Sequence, residues 1–152
     1  MKILFKFILL LLIVLLPVLI ATSCSSSDDL DAIFYGKTWY IHGVTINGKK
    51  VVSEIKEIYE TPGTYQINFT PSTFTGILTS GSTISGTWSA DGKKQSIMLH
   101  FDKQDGVNQT ELSSNIFQIL KSATSYSGDV NVLKISKDKN NFIELSSNSG
   151  RD

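Results

Sequence analysis

The sequence predicts a mainly β domain: a strongly curved antiparallel sheet or small barrel of about seven to eight strands, with one helix packed on it near residues 111–123. Three observations carry this expectation. Apolar and polar residues alternate with period two over much of the chain after Thr64, broken at short intervals by Gly, Asn, Asp and Ser turn signals. Gly76 and Gly86 fall inside two of these alternating runs, where a glycine marks a bulge or a sharp bend and so a sheet that curls on itself. A stretch beginning at Glu111 then changes to helical spacing.

Taken in order, residues 1–23 read as an address. Met1-Lys2 and Lys6 lead into an apolar run from Phe7 to Leu16, Pro17 interrupts it, and Ala21-Thr22-Ser23 closes it with small residues, the three parts of a secretory signal peptide. A spanning helix needs about 20 apolar residues, more than Phe7 to Ala21 supplies, and the proline breaks it. Ala21-Thr22-Ser23-Cys24 resembles the bacterial lipobox, with Ala21 where that family usually has Leu. The resemblance implies cleavage before Cys24, acylation of its sulfur and a lipid anchor in the outer membrane. Each buried acyl methylene contributes about 0.8 kcal/mol, so two or three chains hold lastingly.

Residues 24–33, serine-rich and acidic, read as a solvated tether. Within them Ser27, Asp28 and Asp29 resemble the short acidic export signal that follows the lipidated cysteine in surface lipoproteins of the Bacteroidota, which implies display on the cell surface.

The mature chain bounds its partners. Loss of Lys2 and Lys6 leaves 12 basic residues against 14 acidic ones, a net charge near −2 that gives no electrostatic reason to bind nucleic acid. Cys24 is the one cysteine, so packing alone must hold the fold.

The domain is expected over 34–147, with 148–152 frayed. Gly36-Lys37-Thr38-Trp39 opens a strand through Ile46, with Trp39 and Ile41 on one face and Thr38, Tyr40, His42 and Val44 on the other. Asn47-Gly48 is a type I′ hairpin signal. Residues 50–60 read either as an amphipathic helix or, at 49–52, as a returning strand. Strands follow at 64–70, 73–79, 82–90 and 95–101. Leu112, Ile116, Ile119, Leu120 and Ala123 then share a helical face, with Thr110 as the cap. Ser127-Gly128-Asp129 ends the connection, and strands at 130–136 and 141–147 form a closing hairpin.

Thr73-Phe74-Thr75-Gly76, Ile84-Ser85-Gly86-Thr87-Trp88, the helix with Glu111, Phe117 and Leu120, then Tyr126 and Leu133 resemble the META domain of heat-shock-type bacterial lipoproteins, although Ser80-Gly81-Ser82 replaces the family's Gly-Cys-Asn. A second resemblance is to lipocalin-like domains, which also open on Gly-x-x-Trp but place their main helix after the barrel. Either resemblance implies a small β domain and leaves function open.

Little in the sequence offers chemistry. His42 and His100 lie on the outer faces of separate strands, no Cys/His metal cluster can be assembled, and no Gly-x-Ser-x-Gly elbow occurs. Glu54, Glu57 and Glu60 read as a solvated helix face, and Asp102 to Asn108 as a polar turn without the spacing of a calcium loop. Trp39 and Trp88 are the expected walls of any interior ligand site. The sequence thus predicts no catalysis, no cofactor and no metal. It predicts a binding or scaffold module for an envelope protein or glycan, or alternatively a carrier for a small hydrophobic ligand.

Overall fold

The computed structural model describes residues 27–52 and 61–148. Their order is α1 (Ser27–Phe34), β1 (Thr38–Ile46), β2 (Lys49–Val52), β3 (Gln66–Phe69), β4 (Thr73–Thr79), β5 (Ser82–Asp91), β6 (Ser96–Asp105), α2 (Glu111–Lys121), β7 (Ser125–Gly128), β8 (Val132–Asp138) and β9 (Asn141–Ser146). The expected signal peptide, Cys24, the 53–60 stretch with its glutamates, and the terminus from 149 lie outside the described residues.

Local sequence explains the hairpins. Asn47 and Gly48 have φ of 50° and 76°, the two left-handed positions of a type I′ turn, and set Ile46 opposite Lys49. Residues 49–52 are therefore the returning strand. Three further turns are held by carboxylates. Asp91 accepts backbone N–H bonds from Lys93 and Lys94, Asp129 from Asn131 and Val132, and Asp138 from Asn140. Those bonds favour the ionised form and draw all three carboxyls below the ordinary 3.8.

All strand pairs are antiparallel, in the order β2-β1-β3-β4-β5-β6-β7-β8-β9, and β9 returns to pair with β1. The sheet is thus a ring. β1 can serve three neighbours because Thr38–Tyr40 pairs with β3 while Val44–Ile46 pairs with β2, on the edge opposite β9. The ring is thinnest between β6 and β7, where Ser96 opposite Ser125 is the paired position, and α2 packs against β4, β6, β8 and β9.

The interior follows from the alternation. Trp39, Ile41, Ile67, Phe74, Leu78, Ile84, Ile97, Leu133, Ile135, Ile143 and Leu145 are buried, and Ile116, Phe117 and Leu120 enter from α2. Two bulges shape it. At His42 the register of β1 on β9 shifts, which resets the alternation, so Val44 is buried rather than facing out with Tyr40 and His42 as expected. At Gly86 the register of β5 on β6 shifts, as the glycine predicts.

Three elements differ from expectation. The polar stretch from Asp102, expected as a turn, continues β6 to Asp105, because Ser85, Ile84 and Thr83 of β5 pair with Lys103, Gln104 and Asp105. The stretch expected as a tether carries α1 from Ser27 on. Leu30 and Ile33 pack on the core and Phe34 is fully buried, so a few apolar side chains order a segment whose average composition reads as a linker. Residues 125–128, expected as a connection, form β7, which pairs with β8 from Ser125–Ser136 to Gly128–Leu133. With β7 and the returning strand β2, the described strands number nine. The helix at 111–121 is as predicted: Thr110 caps it, its hydroxyl accepting from the Ser113 N–H while Ser113 Oγ accepts from the Thr110 N–H.

Candidate functional site

The two ends of the ring differ in chemistry. At one end α1 packs on the core through Leu30, Ile33 and Phe34, with Leu30 against Gly92 in the β5–β6 turn. Lys37 Nζ donates to Ala32 O at 2.8 Å and to Val130 O at 2.9 Å, tying the helix to the β7–β8 loop. Phe34 is thereby held among Phe69, Trp88 and Tyr126, with ring centroids at 5.1, 4.7 and 5.2 Å. From Phe34 a series of ring contacts continues through Phe69, Phe74 and Phe101 to Phe117 of α2.

This arrangement places the predicted ligand walls. Trp39 is fully buried and its indole N–H has no hydrogen-bond partner, while Lys37 Nζ stands 5.5 Å from its ring centroid. Trp88 is half-buried, donates its N–H to Thr70 O at 2.8 Å, and packs on Phe34, Tyr35 and Phe69. The space beside Trp88 is filled by Phe34, and the two tryptophans line neither of the grooves described below.

His42 and His100 sit on β1 and β6, which do not pair with each other, and are not brought together. His100 Nε2 is 3.7 Å from Asp102 on the exposed face of β6, and Lys103 pairs with Asp105 at 3.2 Å. Among the described residues no group of three His, Cys, Asp or Glu could hold a metal ion. Ser27, Asp28 and Asp29 fall in the first turn of α1, and Cys24 precedes the described residues.

At the other end a groove of about 240 Å³ opens between the segment entering β3, the β4–β5 hairpin and the start of α2. Thr61, Thr64, Tyr65, Thr79 and Ser80 line it from the sheet side, and Gln109 and Thr110 from the helix side. Every one of these side chains is uncharged. Tyr65 has φ of 52°, a left-handed conformation costing a bulky residue about 1–2 kcal/mol. It is held by the Ile41 N–H, which donates to its carbonyl at 2.7 Å. Sequence alternation marks Tyr65 as a core residue and gives no sign of this backbone.

Thr79 is 8% exposed and its hydroxyl has no hydrogen-bond partner. An orphaned buried hydroxyl destabilises a fold, so Thr79→Val, equal in shape, is expected to raise the free energy of unfolding by about 1 kcal/mol. Urea denaturation measures it, and a loss of stability would show that the hydroxyl is bonded.

A second groove, about 340 Å³, runs along the thin seam between β6 and β7, lined by Ala90, Ile97, Ala123 and Thr124 with Met98, 68% exposed, at its edge.

A family model described as "Domain of unknown function (DUF4847)" matches residues 25–146. The chain is similar to a solved structure, the crystal structure of a DUF4847 family protein from Bacteroides vulgatus ATCC 8482 at 1.00 Å resolution. The two share 25% identity over 79% of this chain and 98% of that one, with a TM-score of 0.63. Comparison with curated proteins found no match. Among the described residues no helix is long and apolar enough to cross a membrane.

Proposed function

This chain belongs to the DUF4847 family, and from that premise we propose that it is an acylated outer-membrane lipoprotein whose β ring is a non-catalytic binding or scaffold module for an envelope protein or glycan. The observation that carries the binding half is a line of aromatic contacts through the interior: Phe34 enters from α1 and Phe117 from α2, and ring contacts run between them. A carrier for a small hydrophobic ligand, the alternative, draws on the lipocalin-like opening strand and needs open space beside Trp88, where Phe34 packs. Recognition is therefore assigned to the outside of the ring.

The anchoring half rests on Ala21-Thr22-Ser23-Cys24 behind an apolar leader. The family match beginning at residue 25 and the helix beginning at Ser27 leave Cys24 close to the folded domain, so a lipid on it would hold the ring near the membrane surface. Asp28 and Asp29, at the start of α1, carry the proposed surface display.

Cys24→Ala is expected to abolish labelling by a fatty-acid probe and release the protein from the membrane fraction. Retained labelling would overturn the anchor. Chemical cross-linking on intact cells should recover the acylated protein with an envelope partner, and recovery of the uncoupled protein alone would overturn the binding reading.

A further inference from the structure

The groove beside the β4–β5 hairpin is built differently from the rest of the surface. Three other turns carry aspartates, and the exposed strand end at Asp102–Asp105 carries ion pairs. Here the described lining holds threonine, serine, tyrosine and glutamine and no charge. Some of those groups are already committed. Thr64 Oγ1 donates to Thr61 O at 2.8 Å, and the Thr110 hydroxyl caps α2. Thr79 Oγ1 is buried without a partner behind the lining, and the Gln109 and Ser80 side chains are exposed at the rim.

Gln109 is held in place by two glycines. Gly81, with φ of 80°, and Gly106, with φ of 60°, approach so closely that a methyl on Gly106 would meet both Gly81 O and Gln109 Nε2. A methyl on Gly81 would stand 3.4 Å from the same amide nitrogen. The Gln109 N–H donates to Gly106 O at 3.1 Å, which closes the turn. The result is a primary amide held beside the hairpin at the groove's edge, with the left-handed Tyr65 in the same lining.

This chemistry selects its ligand. A charged group entering would find no countercharge among the described lining residues, and an apolar one would cover the exposed Ser80 hydroxyl and Gln109 amide without bonding them. A ligand carrying several neutral hydroxyls meets both conditions, since each can donate and accept. We infer that the groove between the β4–β5 hairpin and the N-terminal end of α2 is a subsite for one neutral sugar ring. The inference rests on the binding-module reading and narrows it to a glycan at this position.

Isothermal titration of the full chain, purified from membranes in detergent, tests it with glucose, galactose and N-acetylglucosamine as probes and glucuronate as the charged comparison. At least one neutral sugar should bind saturably in the millimolar range, with glucuronate weaker. Gln109→Ala and Ser80→Ala should each weaken that binding roughly tenfold, as loss of one ligand hydrogen bond does. Gln109 is exposed, so its truncation leaves the fold intact, and Met98→Ala at the seam should change nothing. No saturable binding of any of the three sugars overturns the subsite. Binding that survives both groove variants overturns it as well but leaves the binding-module reading standing, which fails separately if cross-linking on cells recovers no partner.

Discussion

Phe34→Ala is expected to lower the free energy of unfolding by about 3–5 kcal/mol, the range for removing a buried aromatic ring whose site cannot collapse. Phe34 is fully buried and touches three other rings, those of Phe69, Trp88 and Tyr126. All three belong to strands whose positions the ring of hydrogen bonds fixes, so the hole stays open rather than filling. The truncated protein should therefore bind a small aromatic probe such as indole in the vacated space and recover part of its stability. Urea denaturation with and without indole reads both effects. A loss below about 1 kcal/mol would show that α1 does not close this end of the ring. The same variant bears on function: a wild-type chain that already bound indole as tightly would favour the carrier alternative.

Gly86→Ala is the second large effect, and it arises from backbone rather than from a lost contact. A methyl at Gly86 would be driven into the carbonyl oxygen of His100 and close to the Cα of Phe101, both main-chain atoms of the partner strand. No rotamer change can relieve that, so the bulge between β5 and β6 must move. A destabilisation of about 3 kcal/mol is expected, at the upper end of typical overpacking. Gly92→Ala supplies the comparison within the same pair of strands. There the added methyl meets only Leu30, at 3.6–3.9 Å, which is ordinary van der Waals contact, and a change within about 0.5 kcal/mol is expected. Equal effects at the two positions would mean that the Gly86 bulge is not required for the curvature.

The elements that the sequence specified are those decided by neighbours in the chain. Asn47-Gly48 sets its own turn, because few other dipeptides tolerate two left-handed residues. Thr110 and the apolar face behind it set α2 in the same way. The strands at 73–79 and 82–91 were legible because alternation is a property of each strand alone. Candidate sites were less legible: the groove draws on three separate segments, and each of its threonines reads in the sequence as an ordinary strand or turn residue.

What the sequence by itself determined was the class of the fold, most of its strands, its helix at 111–121, and the apolar leader with Cys24. What only the tertiary structure decided was which surfaces meet. α1 forms where composition reads as a tether because Phe34 finds Phe69, Trp88 and Tyr126, residues from distant parts of the chain. β7 forms from Ser125–Gly128, with Tyr126 its one buried side chain, because β8 offers it a row of backbone partners. The ring closes because β9 pairs with β1, and that pairing introduces the shift at His42 that turns Val44 inward. Hydrogen bonds between distant strands and the filling of a shared interior belong to no single segment, so periodicity along the chain cannot announce them.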